Sequence, residues 1–150
     1  MPLCGYKQTS WNRLRPLYII QFSQVSMVKS EFISLRKKLE KTQKEVAALL
    51  GVSIKAVHSY EQGWRGVPAH VERQMFFMVA SKENRLNKRK PCWLIKNCPS
   101  ERKRRCPAFE FHAGKICWFI NGTVCDGRIQ QNWKKKMEIC RSCEVLTSLL

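Results

Sequence analysis

The sequence predicts two folded parts. The first is a mainly α N-terminal bundle of four to five helices built around a helix-turn-helix pair. The second is a small α+β cysteine-rich domain containing a β-hairpin. Three observations lead there. Residues 42–63, TQKEVAALLGVSIKAVHSYEQG, read as two short capped helices joined by a glycine turn. Seven of the eight cysteines and three of the five tryptophans fall between residues 92 and 143. Between these parts the polar run SKENRLNKRK ends at Pro91, so residues 82–91 read as a basic linker.

Taken in order, residues 1–28 carry three basic and no acidic side chains and show no periodic pattern. They form an unassigned basic extension, open to two readings: a chain start at Met27, or an arm whose Arg13 and Arg15 touch phosphates. A first helix is expected over residues 31–39, capped by Ser30, with Phe32, Leu35 and Leu39 inward. Arg36, Lys37, Lys38 and Lys41 are expected to point outward. Thr42 and Glu45 have the spacing of a reciprocal capping box. Val46, Leu49 and Leu50 supply the apolar face that follows. Gly51 stands where the chain must turn through the left-handed region. Ser53 caps a second helix with Val57 and Tyr60 inward, and Gly63 ends it. Pro68 suits the first position of a fourth helix, whose stripe is Val71, Met75, Met78 and Val79. Phe76 and Phe77 widen that stripe toward a dimer or interdomain contact. Trp64 is expected to pack and close the motif.

The helix starting after Ser53 has an unusual outward face: Ile54, Lys55, Ala56, His58 and Ser59, short or hydrogen-bonding and with one positive charge. Together with Gln43, Ala47, Gly51, Val52-Ser53, Val57 and Glu61-Gln62-Gly63, the segment resembles the lambda-repressor-like (Xre/Cro type) helix-turn-helix domains, over residues 29–81. The resemblance implies that the second helix enters the major groove of double-stranded DNA while the first crosses the backbone. Carried over by position, Gln43 would bond a phosphate. Ser53, Ile54, Lys55, Ala56, His58 and Ser59 would face bases or neighbouring phosphates, and Arg65 a phosphate. Lys55 suits guanine acceptors, and Ile54 and Ala56 suit thymine methyls. A homodimer on a near-palindrome is implied.

Beyond Pro91, Cys92, Cys98, Cys106, Cys117, Cys125, Cys140 and Cys143 are candidate metal ligands. A part of this size rarely stands without a metal, disulfides or oligomerisation. Cys140-Arg-Ser-Cys143 is a C-x-x-C pair suited to zinc or an Fe–S cluster. Four thiolates suffice for either, so three remain to pack, to form a redox pair or to serve a second site. His112 is the one histidine of this part and reads as structural or solvated. Asn121-Gly122 predicts a two-residue hairpin pairing Ile120 with Thr123 and Trp118 with Cys125. That register puts Cys117 and Cys125 on opposite faces, with Trp118 shielding the Cys125 sulfur. The frame PCW, NCP, CPAFEF, CWFINGTVCDG and C-x-x-C resembles the two-CW domain, a cysteine-rich module of bacterial sensory and signalling proteins, over residues 91–145. That resemblance implies a redox- or metal-responsive sensor and leaves the cofactor open between an Fe–S cluster and zinc.

The net charge of +17 is spread over every segment: +3 in residues 1–28, +4 in 29–81, +4 in 82–91 and +6 in 92–150. Such a spread favours a polyanionic partner. No run of about 18 apolar residues is present, so no membrane span is expected, and a cytoplasmic location follows as an expectation. Nucleotide loops, paired carboxylates and serine–histidine arrangements are missing, which argues against an enzyme. The reading is a transcriptional regulator with a cysteine sensor. Its alternatives are a redox or electron-transfer protein with a nucleic-acid-binding domain, and a regulator whose zinc module is purely structural.

Overall fold

The computed structural model describes residues 27–82, 84 and 86–150. The expectations for the basic arm, including Arg13 and Arg15, lie outside the described residues. Among these residues the chain is mainly helical with one small antiparallel hairpin. Helices α1 (Lys29–Leu39), α2 (Gln43–Leu50), α3 (Ile54–Gln62) and α4 (Ala69–Lys82) come first. Then follow α5 (Cys92–Ile95), α6 (Ser100–Arg104), α7 (Pro107–Glu110) and a 3-10 turn at Cys117–Phe119. Strands β1 (Thr123–Cys125) and β2 (Arg128–Gln130) precede α8 (Trp133–Cys140) and α9 (Glu144–Thr147).

Local chemistry accounts for the early boundaries. The Thr42 hydroxyl accepts from Glu45 N–H at 3.2 Å while the Glu45 carboxylate accepts from Thr42 N–H at 2.8 Å, completing the capping box. Gly51 turns at φ 65° and Gly63 at φ 76°. Ser53 Oγ accepts from Ala56 N–H at 3.1 Å and starts α3. The expected Ser30 cap does not form. Helix α1 begins at Lys29, with Val28 in the cap position and Met27 buried in the core.

α1 packs on α3 and α4, and α2 packs on α3. Phe32, Leu35, Leu39, Val46, Ala47, Leu50, Val57, Tyr60, Val71, Met75 and Val79 fill the space between them. Two expectations fail here. Leu49 is 54% exposed, because Ala47 takes the inward position beside Val46 and Leu50. Arg36 turns inward rather than outward, and Glu61 receives it.

The cysteine-rich part shares this core. Phe76 meets Trp118 edge-on with ring centroids 5.9 Å apart, and both rings are fully buried. Phe77 lies 6.0 Å from Phe119. The surplus aromatics of α4 thus make an interdomain contact. The basic connection is held as well: Arg89 donates to the Ser148 carbonyl, and Lys82 Nζ donates to Glu40 Oε2 at 2.6 Å.

The hairpin is displaced from its expected place. Its turn is Asp126-Gly127, at φ 50° and 79°, and Thr123 pairs with Gln130, Val124 with Ile129, and Cys125 with Arg128. Asp-Gly meets the two-residue requirement for positive φ as well as Asn-Gly does. The preceding CWF run buries the neighbours Cys117 and Trp118 together. No helix among the described residues is long and apolar enough to cross a membrane.

Candidate nucleic-acid interface and cysteine-lined cavity

The outward side of α3 is defined by what holds its inward side. Val57 and Tyr60 enter the core, and Glu61 beside them is buried. Arg36 Nε donates to Glu61 Oε1 at 2.5 Å and Nη2 to Oε2 at 3.2 Å. Gln43 Nε2 donates to Glu61 Oε2 at 2.6 Å. Burial raises the Glu61 carboxyl's affinity for its proton, but the bonds from Arg36 and Gln43 outweigh it and hold its pKa below the usual value. This carboxylate therefore clamps α1, α2 and α3 together.

Ile54, Lys55 and His58 remain exposed on the opposite side, as does Arg65 after the exit glycine. Ala56 is half-buried against the core. Ser53 is exposed and spends a lone pair on the cap, while Ser59 Oγ donates to the Lys55 carbonyl at 2.8 Å. Gln43 is half-buried, and its amide serves Glu61 rather than standing free. Trp64, expected to be packed, is 74% exposed and meets His58 edge-on at 5.5 Å. The turn closes on backbone bonds instead, from Trp64 and Arg65 N–H to the Ser59 carbonyl.

In the second part, short elements converge on one cavity. Cys92 opens α5, Cys98 follows it, Cys106 precedes α7, and Cys117 lies in the 3-10 turn. Cys125 ends β1, Cys140 ends α8 and Cys143 precedes α9. All seven line the same partly open space of about 50 Å³. Cys117 and Cys125 therefore face a common site, contrary to the register expected from an Asn121-Gly122 hairpin. Trp93 forms part of the wall and stacks edge-on with Phe109 at 5.0 Å. Gly114 permits that wall: a Cβ there would stand 2.3 Å from the Trp93 ring. The other Cys-Trp pair divides its labour, with Cys117 in the cavity and Trp118 on Phe76. Trp118 thus joins the two parts rather than covering Cys125.

The sulfurs sense one another. A hydrogen bond with Cys117 lowers the pKa of Cys92, and the same bond, with burial, raises Cys117 strongly. Burial raises Cys98 and Cys125 and pushes Cys140 up to about 11. Cys106 Sγ accepts from Val124 N–H at 3.4 Å. Lys136 of α8 is fully buried nearby, donates to Thr123 Oγ1, and acts on Cys92, Cys117, Cys125 and Cys140 through its charge. The rim carries Lys96, Arg102 and Lys103, with Lys96 Nζ 3.6 Å from Asp126.

A polar junction ties this cavity to the helical bundle. Arg141, between Cys140 and Cys143, donates to Glu31 of α1 at 2.7 and 2.9 Å and to Glu72 of α4 at 2.5 Å. Trp133 Nε1 donates to the second Glu72 oxygen at 2.9 Å, and Arg73 lies 4.2 Å above the Trp133 ring. Burial raises the pKa of Glu72 despite these donors. Burial alone would lower Arg141, but Glu31 and Glu72 together raise it.

Sequence reasoning missed Glu61, Glu72, Lys136 and Arg141 as site residues. Lys136 was legible in principle, since it precedes Cys140 by one helical turn and so shares its face. Comparison with protein-family models, curated proteins and solved structures yields no match.

Proposed function

We propose that the chain is a sequence-specific, double-stranded-DNA-binding transcriptional regulator whose cysteine-rich part senses metal or redox state. The observation that carries the reading is the two-sided character of α3. Its inner side is fixed by Val57, Tyr60 and the Glu61 clamp, and its outer side leaves Ile54, Lys55 and His58 free for a partner. A helix so held is suited to the major groove, with Lys55 donating to guanine, Ile54 and Ala56 against thymine methyls, and Arg65 on phosphate. Ser53 keeps its hydroxyl proton for a phosphate, whereas Gln43 and Ser59 act mainly by positioning. Two copies reading half-sites about 34 Å apart would require a near-palindromic operator.

The cysteine cavity fits a thiolate-bound centre, either an Fe–S cluster or zinc, on the strength of seven thiols facing one space and a buried cation beside them. Such a centre supplies metal–sulfur bonds that fix the cavity's walls. Arg141 supports regulation over scaffolding. It sits between two cavity cysteines and reaches Glu31 and Glu72 in the reader. A shift of the Cys140–Cys143 segment moves the guanidinium away from two carboxylates on α1 and α4.

The test is selection of duplexes from a random pool, run with protein purified under anaerobic, metal-loaded and oxidised conditions. Enrichment of a near-palindromic site in at least one condition is expected. A pool that stays random in all of them overturns the proposal.

A further inference from the structure

We propose that the cysteine cavity binds a sulfur-bridged polynuclear metal centre, of two or more ions, rather than one tetrahedral ion. The inference deepens the sensor reading by naming the nuclearity of its site. It starts from number. One zinc ion takes four thiolates, and here seven line a common space. Two four-coordinate ions that share one bridging thiolate use all seven. An Fe–S cluster uses four and brings its own bridging sulfides.

Size points the same way. A tetrahedral ion with metal–sulfur bonds of about 2.3 Å holds its sulfurs about 3.8 Å apart. Among the described residues, no three cysteine, histidine or carboxylate side chains are preassembled to hold a metal ion, so any centre must draw the thiols inward. The thiols instead surround a space. That space, about 50 Å³, is several times the ~10–15 Å³ needed for one water. A body larger than one ion can meet more of its walls than a single ion can.

Charge completes the case. Lys136 is fully buried, and its ammonium donates to Thr123 Oγ1. Among the described residues no carboxylate pairs with it. A buried ammonium is costly unless an anion compensates it, and a thiolate-rich centre is such an anion. Lys96, Arg102 and Lys103 at the rim add to the same field. Lys136 is thus a positioning residue for the centre's negative charge.

The test uses the full chain, produced with iron or with zinc and purified without oxygen. Native mass spectrometry, metal analysis and acid-labile sulfide are measured on the same sample. At least two metal atoms per chain are expected in one centre. The iron arm reports iron with matching sulfide and a visible charge-transfer band. The zinc arm reports two zinc ions which, exchanged for cadmium, show scalar coupling between the two cadmium nuclei. Lys136→Met is expected to lose more than half of the bound metal at equal thiol content, and Lys136→Arg to retain it. A single zinc ion with three alkylatable thiols overturns the proposal, as does a metal-free chain. Full metal retention in Lys136→Met overturns the assigned role of the lysine. None of these readouts involves DNA, so failure here is distinct from failure of the regulator reading.

Discussion

Lys55 and Arg65 are both exposed cations near α3, yet they stand in different places and should behave differently. Lys55 lies on the first turn of α3, where a groove-bound helix meets base edges. Lys55→Ala is expected to cost about 1–3 kcal/mol on the selected site and to relax preference at one position. Arg65→Ala should weaken binding to all duplexes alike and reduce the salt slope by about 1. Fluorescence anisotropy on selected and scrambled duplexes over a salt series separates the two, and identical losses would contradict the docking. Glu61 gives a pH prediction. Its folded pKa lies below the ordinary value of 4.5, so its stabilisation is complete above about pH 4.5 and is lost as pH falls through the folded pKa. Urea unfolding from about pH 6 to about pH 3 should show that acid limb, and Glu61→Gln should flatten it. Residues such as Thr42, Gly51, Ser53 and Gly63 were legible because each acts on its own few neighbours. Glu61 was not, since its partners come from 25 and 18 residues away. Trp64 misled for a related reason: aromatic character argues for burial, but among the described residues no tertiary wall stands where the chain places it.

At the scale of elements, the C-x-x-C segment and α4 carry contacts between the two parts. Arg141→Ala leaves Glu72 buried without its cation, a change worth about 3–5 kcal/mol when such a pair is broken. Thermal unfolding should fall accordingly. DNA affinity should then become the same with and without the bound centre, because the link between them is gone. An Arg141→Ala protein that keeps a state-dependent affinity would contradict the junction's role. Phe76→Ala removes the aromatic bridge to Trp118 and should cost about 3–5 kcal/mol by the usual price of an emptied core site, read as one lowered unfolding midpoint for both parts. Helices α2 and α3 were legible from their caps and from Gly51 and Gly63 at their ends, and α1 and α4 from their apolar period. The hairpin was misplaced because two turn signals, Asn121-Gly122 and Asp126-Gly127, lie five residues apart. Only the joint burial of Cys117 and Trp118 chooses between them, and that contact is non-local.

The whole molecule joins a helical bundle to a thiol-lined cavity through a shared core. Its +17 charge is spread over every segment, and Lys136 is buried beside the cavity. The gathering of seven cysteines could be expected from composition, but not that they would face one space, since their spacing of three to fifteen residues fixes no geometry by itself. The claim on which the account rests is that the state of that cavity sets how tightly α3 binds DNA. The most direct measurement is the Kd of one protein preparation for its selected duplex, taken anaerobically with the centre intact and again after chelation and thiol oxidation. The account predicts at least a tenfold difference between the two states, about 1.4 kcal/mol. Equal Kd values for a duplex bound specifically in both states would contradict it.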